Sequence, residues 1–188
     1  PLIANVHGGP TSSVRPGLQV PFQYWTSRGF AVLDVNYRGS TSFGRAYRER
    51  LNGNWGVMDV QDCVDGAQYL IDLGRVDPTR VAIRGRSSGG FAVLNALASS
   101  EVFTAGASFF GIADLAKLSA TTHKFESHYD RILLGTDDMS DPVWADRSPI
   151  NRVAHIKAPL LLLQGTDDAV VPPEQAEEMY EALRQAGN

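Results

Sequence analysis

Six residues, Gly85-Arg86-Ser87-Ser88-Gly89-Gly90, constrain the fold of this chain more than any other stretch. The apolar run Val81-Ala82-Ile83 leads into them. Phe91-Ala92-Val93-Leu94-Asn95-Ala96-Leu97-Ala98, helical in character, leads away. A G-x-S-x-G between strand and helix specifies a turn so sharp that its flanking positions have no room for side chains. Such a turn lifts the central hydroxyl, here Ser87, above the carboxyl end of its strand. The N–H of the next residue, Ser88, then points to where an oxyanion forms on a carbonyl under attack. The same letters elsewhere describe an ordinary Gly/Ser turn. The placement between a strand pattern and a helix pattern favours the chemical reading.

The rest of the chain repeats that alternation. Strand patterns occur at 2–6, 30–35, 81–83, 104–110 and 159–163, with helical patterns between them. Strands that alternate with helices predict a parallel, doubly wound sheet. Leu160-Leu161-Leu162-Leu163 lies in the most apolar run and is expected at the centre of that sheet. Val57, Val60, Val64, Ala67, Leu70 and Ile71 make the buried stripe of a helix, which turns Asp59, Asp62 and Asp65 towards water. A last helix starts at Pro172-Pro173, buries Ala176, Met179, Tyr180 and Leu183, and stops at Gly187. Residues 112–156 are the least sheet-like. They read as a helical excursion near the mouth of the site, with a helix over 125–134 and breaks at Gly135, Pro142 and Pro149. Its aromatics Phe125, Tyr129 and Trp144 either shape a pocket or pack locally.

Bulk properties exclude several function classes. A chain of 188 residues suits one domain, expected over 1–188. The net charge is −4 with no basic block, which argues against a nucleic-acid partner. No apolar run reaches the roughly 18 residues that would span a membrane. The lone cysteine, Cys63, excludes an intrachain disulfide and reads as a small apolar filler. Asp59, Asp62 and Asp65 are spaced by three with no histidine beside them, so neither metal nor cofactor is expected. Arg38, Arg45, Arg48 and Arg50 read as a solvated, salt-bridged face rather than a carboxylate-binding site. The chain starts at Pro1 and stops at Asn188, just past a helix, and reads as an excerpt of a longer protein.

A serine hydroxyl needs a base to take its proton, usually a histidine oriented by a carboxylate. On a sheet of this kind the chain order is Ser, acid, His. The acid belongs in a loop after a later strand. Gly165-Thr166-Asp167-Asp168 fits, because it follows the leucine run; spacing alone does not choose between Asp167 and Asp168. The earlier Gly135-Thr136-Asp137-Asp138 follows a helical pattern and is set aside. His7, His123, His128 and His155 all precede Asp168. His7 reads as a structural hydrogen-bonder and His155 as a packing or capping residue. The base is therefore expected beyond Asn188. Upstream, His7-Gly8-Gly9-Pro10 follows the first strand, where two glycines let a backbone N–H face a cavity.

These stretches together resemble the peptidase domain of the prolyl oligopeptidase family of serine peptidases, most closely its acylaminoacyl-peptidase-like members. The resemblance rests on His7-Gly8-Gly9-Pro10, Asn36-Tyr37-Arg38-Gly39-Ser40, Asn54-Trp55-Gly56 with Asp59 and Asp62, the Ser87 turn, and 165–172. It implies an α/β-hydrolase fold, truncated at both ends, without the family's β-propeller and histidine loop. It implies Ser87 as nucleophile, Asp168 as the acid, Gly8, Gly9 and Ser88 as the oxyanion hole, and Val171 lining the pocket for the residue before the scissile bond. The expected protein is a cytoplasmic peptidase acting on short peptides, with a homo-oligomer left open. The alternatives are a carboxylesterase, or a catalytically silent domain that keeps the fold.

Overall fold

The structure, a computed structural model, describes residues 1–121 and 129–188. Five strands carry the predicted alternation: β1 (Leu2–Val6), β2 (Ala31–Val35), β3 (Val81–Arg86), β4 (Ala105–Phe109) and β5 (Leu160–Leu163). All pair in parallel, in the order β2-β1-β3-β4-β5. The helices are α1 (Val20–Thr26), α2 (Arg45–Arg48), α3 (Met58–Asp72), α4 (Ser88–Ser99), α5 (Leu115–Thr121), α6 (Tyr129–Leu134), α7 (Val143–Arg147) and α8 (Glu174–Gln185), with 3-10 turns at Glu49–Leu51 and Pro149–His155. The chain steps from β1 to β2 on one side, then crosses back to β3 on the other. That reversal opens a crevice at the carboxyl ends of β1 and β3, the place where ligands bind in open parallel sheets.

The core lies between one sheet face and α3 and α4. Leu2, Ala4, Val6, Val81 and Ile83 are buried there. α4 is apolar all round and buried from Ser88 to Ala98, as a helix with no polar face must be. Its Leu97 packs so tightly on β4 that a Cβ at Gly106 would lie 2.5 Å from Leu97 Cδ1. Leu97→Ala would cost about 2–5 kcal/mol. The opposite face carries α1 over β1 and β2, beside Arg84 and Arg86 of β3.

Several expectations fail. Among the described residues β5 is the last strand in the order rather than a central one: Leu160 and Leu162 are half-buried, and Leu161 and Leu163 are 57% and 37% exposed. Four leucines in a row make both faces apolar without saying which is covered. Asp59 is not in water but fully buried. It sits in the first turn of α3, where the preceding Trp55-Gly56 segment folds back over it and donates to it. Asp62 is half-buried against Arg38, and only Asp65 is open. Tyr180 is exposed, because the inward face of α8 is narrower than its pattern suggests and is carried by Met179 and Leu183. Val57, also placed in the α3 stripe, precedes the helix and is exposed.

The excursion at 112–156 is helical where it is described. Trp144 is 2% exposed and packs in the core, with its Nε1–H on the Asp138 carbonyl. The expected helix over 125–134 appears as α6; Phe125, His123 and His128 lie outside the described residues. Among the described residues no helix is long and apolar enough to cross a membrane.

Candidate active site

The turn after β3 has the geometry its glycines predict. Ser87 has φ 54° and ψ −122°, a region that non-glycine residues rarely occupy. Strain of this kind, about 1–3 kcal/mol, persists only where surrounding structure over-determines it. Here it does. A Cβ on Gly85 would lie 2.3 Å from the Gly89 carbonyl oxygen, and one on Gly89 2.3 Å from that of Val6. Ser87 N–H donates to the Phe109 carbonyl at 3.0 Å, and the Ser87 carbonyl accepts Phe91 N–H at 2.9 Å. The hydroxyl-bearing residue is thus fastened to β4 below and α4 above, and is half-buried. It lies at the amino end of α4, where the helix dipole favours negative charge.

The loop after β1 closes on the same point. β1 and β3 are neighbours, with Val6 opposite Gly85. A Cβ on Gly8 would sit 2.9 Å from the Arg86 carbonyl oxygen and 3.6 Å from Ser87 Cβ. Gly9 holds φ +129°, open to glycine. Tyr37, 1% exposed, pins this loop, with its hydroxyl 3.1 Å from the His7 carbonyl and 3.2 Å from that of Pro10. His7 stacks on Tyr37 at 4.2 Å between ring centroids. Its Nδ1–H donates to the Gly8 carbonyl at 2.8 Å, and its Nε2 accepts the Ser40 hydroxyl at 2.8 Å. Burial pushes its pKa below the ordinary histidine value, against the pull of the Gly8 carbonyl. Both nitrogens are committed, so His7 braces the loop.

Past β5, the two adjacent aspartates separate. Asp167 is exposed, whereas Asp168 is half-buried. Asp168 Oδ1 accepts the N–H groups of Val170 and Val171, each at 2.9 Å, an Asx-type turn that leaves Oδ2 outside the bond. Val171 is 2% exposed and its carbonyl accepts Gln164 Nε2–H at 2.9 Å. The other Gly-Thr-Asp-Asp follows α6, with Asp137 and Asp138 exposed. His155 lies beside Thr104 and Pro159, at the amino ends of β4 and β5. That is the opposite end of the strands from Ser87.

A cavity of about 130 Å³ joins these parts. Ser87, Ser88, Gly9 and Pro10 form its polar side; Trp55, Ile112, Leu118, Val170 and Val171 form its apolar side; Tyr129 and Asp130 close it from α6. Tyr129 tethers that wall to the Gly9-Pro10 loop through hydrogen bonds to Thr11, one from the Thr11 N–H at 3.1 Å and one with its hydroxyl. A larger cavity under α1, lined by Arg84 and Arg86, lies on the sheet face away from α4. Trp55 and Thr11 were invisible as site residues in the sequence. Trp55 lines the cavity and bonds Ser88, 33 residues on, and Thr11 bonds the wall residue Tyr129, 118 residues on; no local pattern encodes such distances.

Comparison with known proteins places this architecture. The model of the prolyl oligopeptidase family matches residues 16–188. Dipeptidyl aminopeptidase BIII of Pseudoxanthomonas mexicana is 33% identical over 192 residues, covering 98% of this chain and 28% of that protein. A Mycobacterium tuberculosis puromycin-hydrolyzing peptidase superposes with a TM-score of 0.96 at 47% identity, over 99% of this chain and 28% of that one. The Pyrococcus horikoshii acylaminoacyl peptidase gives 0.93 at 28% identity, over 100% and 31%. The chain therefore spans somewhat over a quarter of the length of the relatives it matches.

Proposed function

The chain belongs to the prolyl oligopeptidase family, and from that premise we propose that it carries the nucleophile and acid of a serine peptidase acting on short peptides and aminoacyl amides. The Ser87 hydroxyl attacks the carbonyl carbon of the scissile amide and passes its proton to an imidazole base. The oxyanion forms against the Ser88 N–H and the Gly8-Gly9 backbone. Return of the proton to the nitrogen expels the amine and leaves an ester on Ser87, which water hydrolyses by the same route. Asp168 holds the imidazole in the productive tautomer. Val171 and the apolar wall of the cavity receive the side chain before the cut.

The observation that carries this reading is the strained Ser87 at the crevice between β1 and β3, with the Gly8-Gly9 loop in contact with it. The homologous peptidases support amides as substrates, and puromycin belongs in the panel because a close structural relative is a puromycin-hydrolyzing peptidase. A cytoplasmic setting is part of the proposal. The lone buried thiol, Cys63, suits a reducing compartment.

The test is paired kinetics of the native full-length protein on a peptide anilide and its matched ester. The expected result is turnover of both, with Ser87→Ala lowering kcat by about 10⁴-fold or more on each. Turnover of the ester alone identifies a carboxylesterase. No turnover of either identifies a silent domain.

A further inference from the structure

Behind the cavity lie a buried carboxyl and a guanidinium that the proposed mechanism does not use. Asp59 is fully buried, and its Oδ1 accepts the Gly56 N–H at 2.7 Å. Arg147, at the end of α7, donates from Nη1 to the Trp55 carbonyl at 2.9 Å. These are the two poles of one peptide unit. The carboxyl grips its N–H and the guanidinium grips its carbonyl. The Arg147 guanidinium is charged, and a bond from a charged donor is roughly twice as strong as a neutral one, so with both poles taken this peptide is held more firmly than a loop normally is.

The held peptide aims a side chain at the reaction centre. Trp55, 2% exposed, packs on Phe91 with ring centroids 4.7 Å apart. Its Nε1–H donates to Ser88 Oγ at 3.0 Å. Phe91 in turn donates its backbone N–H to the Ser87 carbonyl. Gly56 has φ +79°, and a Cβ there would meet the Phe91 ring at 2.9 Å, so the turn has one packing solution. Asp59 Oδ2 has no hydrogen-bond partner among the described residues. An orphaned buried carboxyl oxygen is costly, so the grip on Gly56 is held at a cost in stability.

We propose that Asp59 and Arg147 are positioning residues for acyl transfer: by clamping the Trp55-Gly56 peptide they fix the indole, and the indole fixes Ser88, whose N–H receives the oxyanion. The inference rests on the peptidase reading of Ser87. Because the oxyanion exists only along the reaction path, loosening the clamp weakens the transition state more than substrate binding.

The experiment uses the native full-length protein with active sites counted by exhaustive fluorophosphonate labelling, so that unfolded molecules drop out. Asp59→Ala and Trp55→Phe, the latter deleting only the indole N–H, are expected to lower kcat per labelled site about 10- to 100-fold with KM changed less than threefold. Asp59→Asn, which keeps an oxygen acceptor for Gly56, recovers most of that loss. If Asp59→Ala gives no labelled sites, Trp55→Phe carries the same expectation. Wild type labelled at Ser87, with kcat per site unchanged in the variants or with KM rising instead, overturns the inference alone. Wild type not labelled at Ser87 overturns the peptidase reading and this inference with it.

Discussion

The two corners of the sheet that the reaction would use are built in opposite ways. At the serine corner the backbone is packed on every side. α4 is buried along eleven consecutive residues, Gly85 and Gly89 have backbone oxygens where a Cβ would go, and Ser87 is tied to both β4 and α4. At the carboxylate corner, among the described residues, β5 is the last strand in the order, Leu161 is exposed, Gly165 has nothing within 4 Å of a Cβ, and Asp168 is shaped by two bonds to its own loop. The proposed nucleophile is positioned by tertiary packing and the proposed acid by a local turn. The first should be intolerant of added atoms, and the second tolerant of almost anything except loss of its charge.

The largest effect that would sharpen this contrast is chemical. Asp168→Asn keeps an oxygen acceptor for Val170 and Val171, so the loop should hold its shape and the melting temperature should barely move. kcat should nevertheless fall about 10³- to 10⁴-fold, because the imidazole loses its orienting charge. Asp167→Asn should stay within twofold in the same assay. A comparable loss at Asp167 would move the acid by one residue.

The next effect concerns pH. Burial lifts the Asp59 carboxyl from the usual 3.8 to about 7, against the opposing bonds from Gly56, its own N–H and that of Val60, and the attraction of Arg147. Tyr37 and Cys63 also face it, both with pKa values raised by burial and thus uncharged. Between about pH 4 and 7 the folded protein keeps a proton that the unfolded chain has released. The stability contributed by Asp59 is therefore fullest below 3.8 and is lost as the pH rises to about 7. The loss over that window is about 4 kcal/mol at most. Denaturant titrations across it should show a steeper decline for wild type than for Asp59→Asn. Equal slopes would mean that the serine corner does not stand on a titrating carboxyl.

The smallest effect compares two glycines. Gly89→Ala must displace the Val6 carbonyl and should cost about 1–3 kcal/mol or more. Gly165→Ala should stay within about 0.5 kcal/mol. Similar costs at the two positions would erase the distinction between the corners.

What was legible in the sequence follows the same division. The turn at Ser87 could be read because its glycines, its strand and its helix are contiguous, and local sterics leave one conformation. The alternation of patterns was enough for the parallel sheet, and the strand pattern before the second Gly-Thr-Asp-Asp, against the helical pattern before the first, is what favoured the second as the place for the acid. β5 is the last strand of the described sheet although its run is the most apolar, because four leucines in a row do not say what lies on either side of them. Asp59 was misplaced because helical spacing describes a helix alone, and its neighbour is the segment that precedes the helix. The grip of Arg147 on Trp55 spans 92 residues, so it exists only once the sheet has brought α7 beside α4.

The most direct measurement is mass-spectrometric mapping of a fluorophosphonate adduct on the native full-length protein. The account predicts one adduct per chain, on the peptide containing Ser87, and none when Ser87→Ala is treated alike. An adduct on any other residue, or peptidase activity that survives Ser87→Ala, would contradict it.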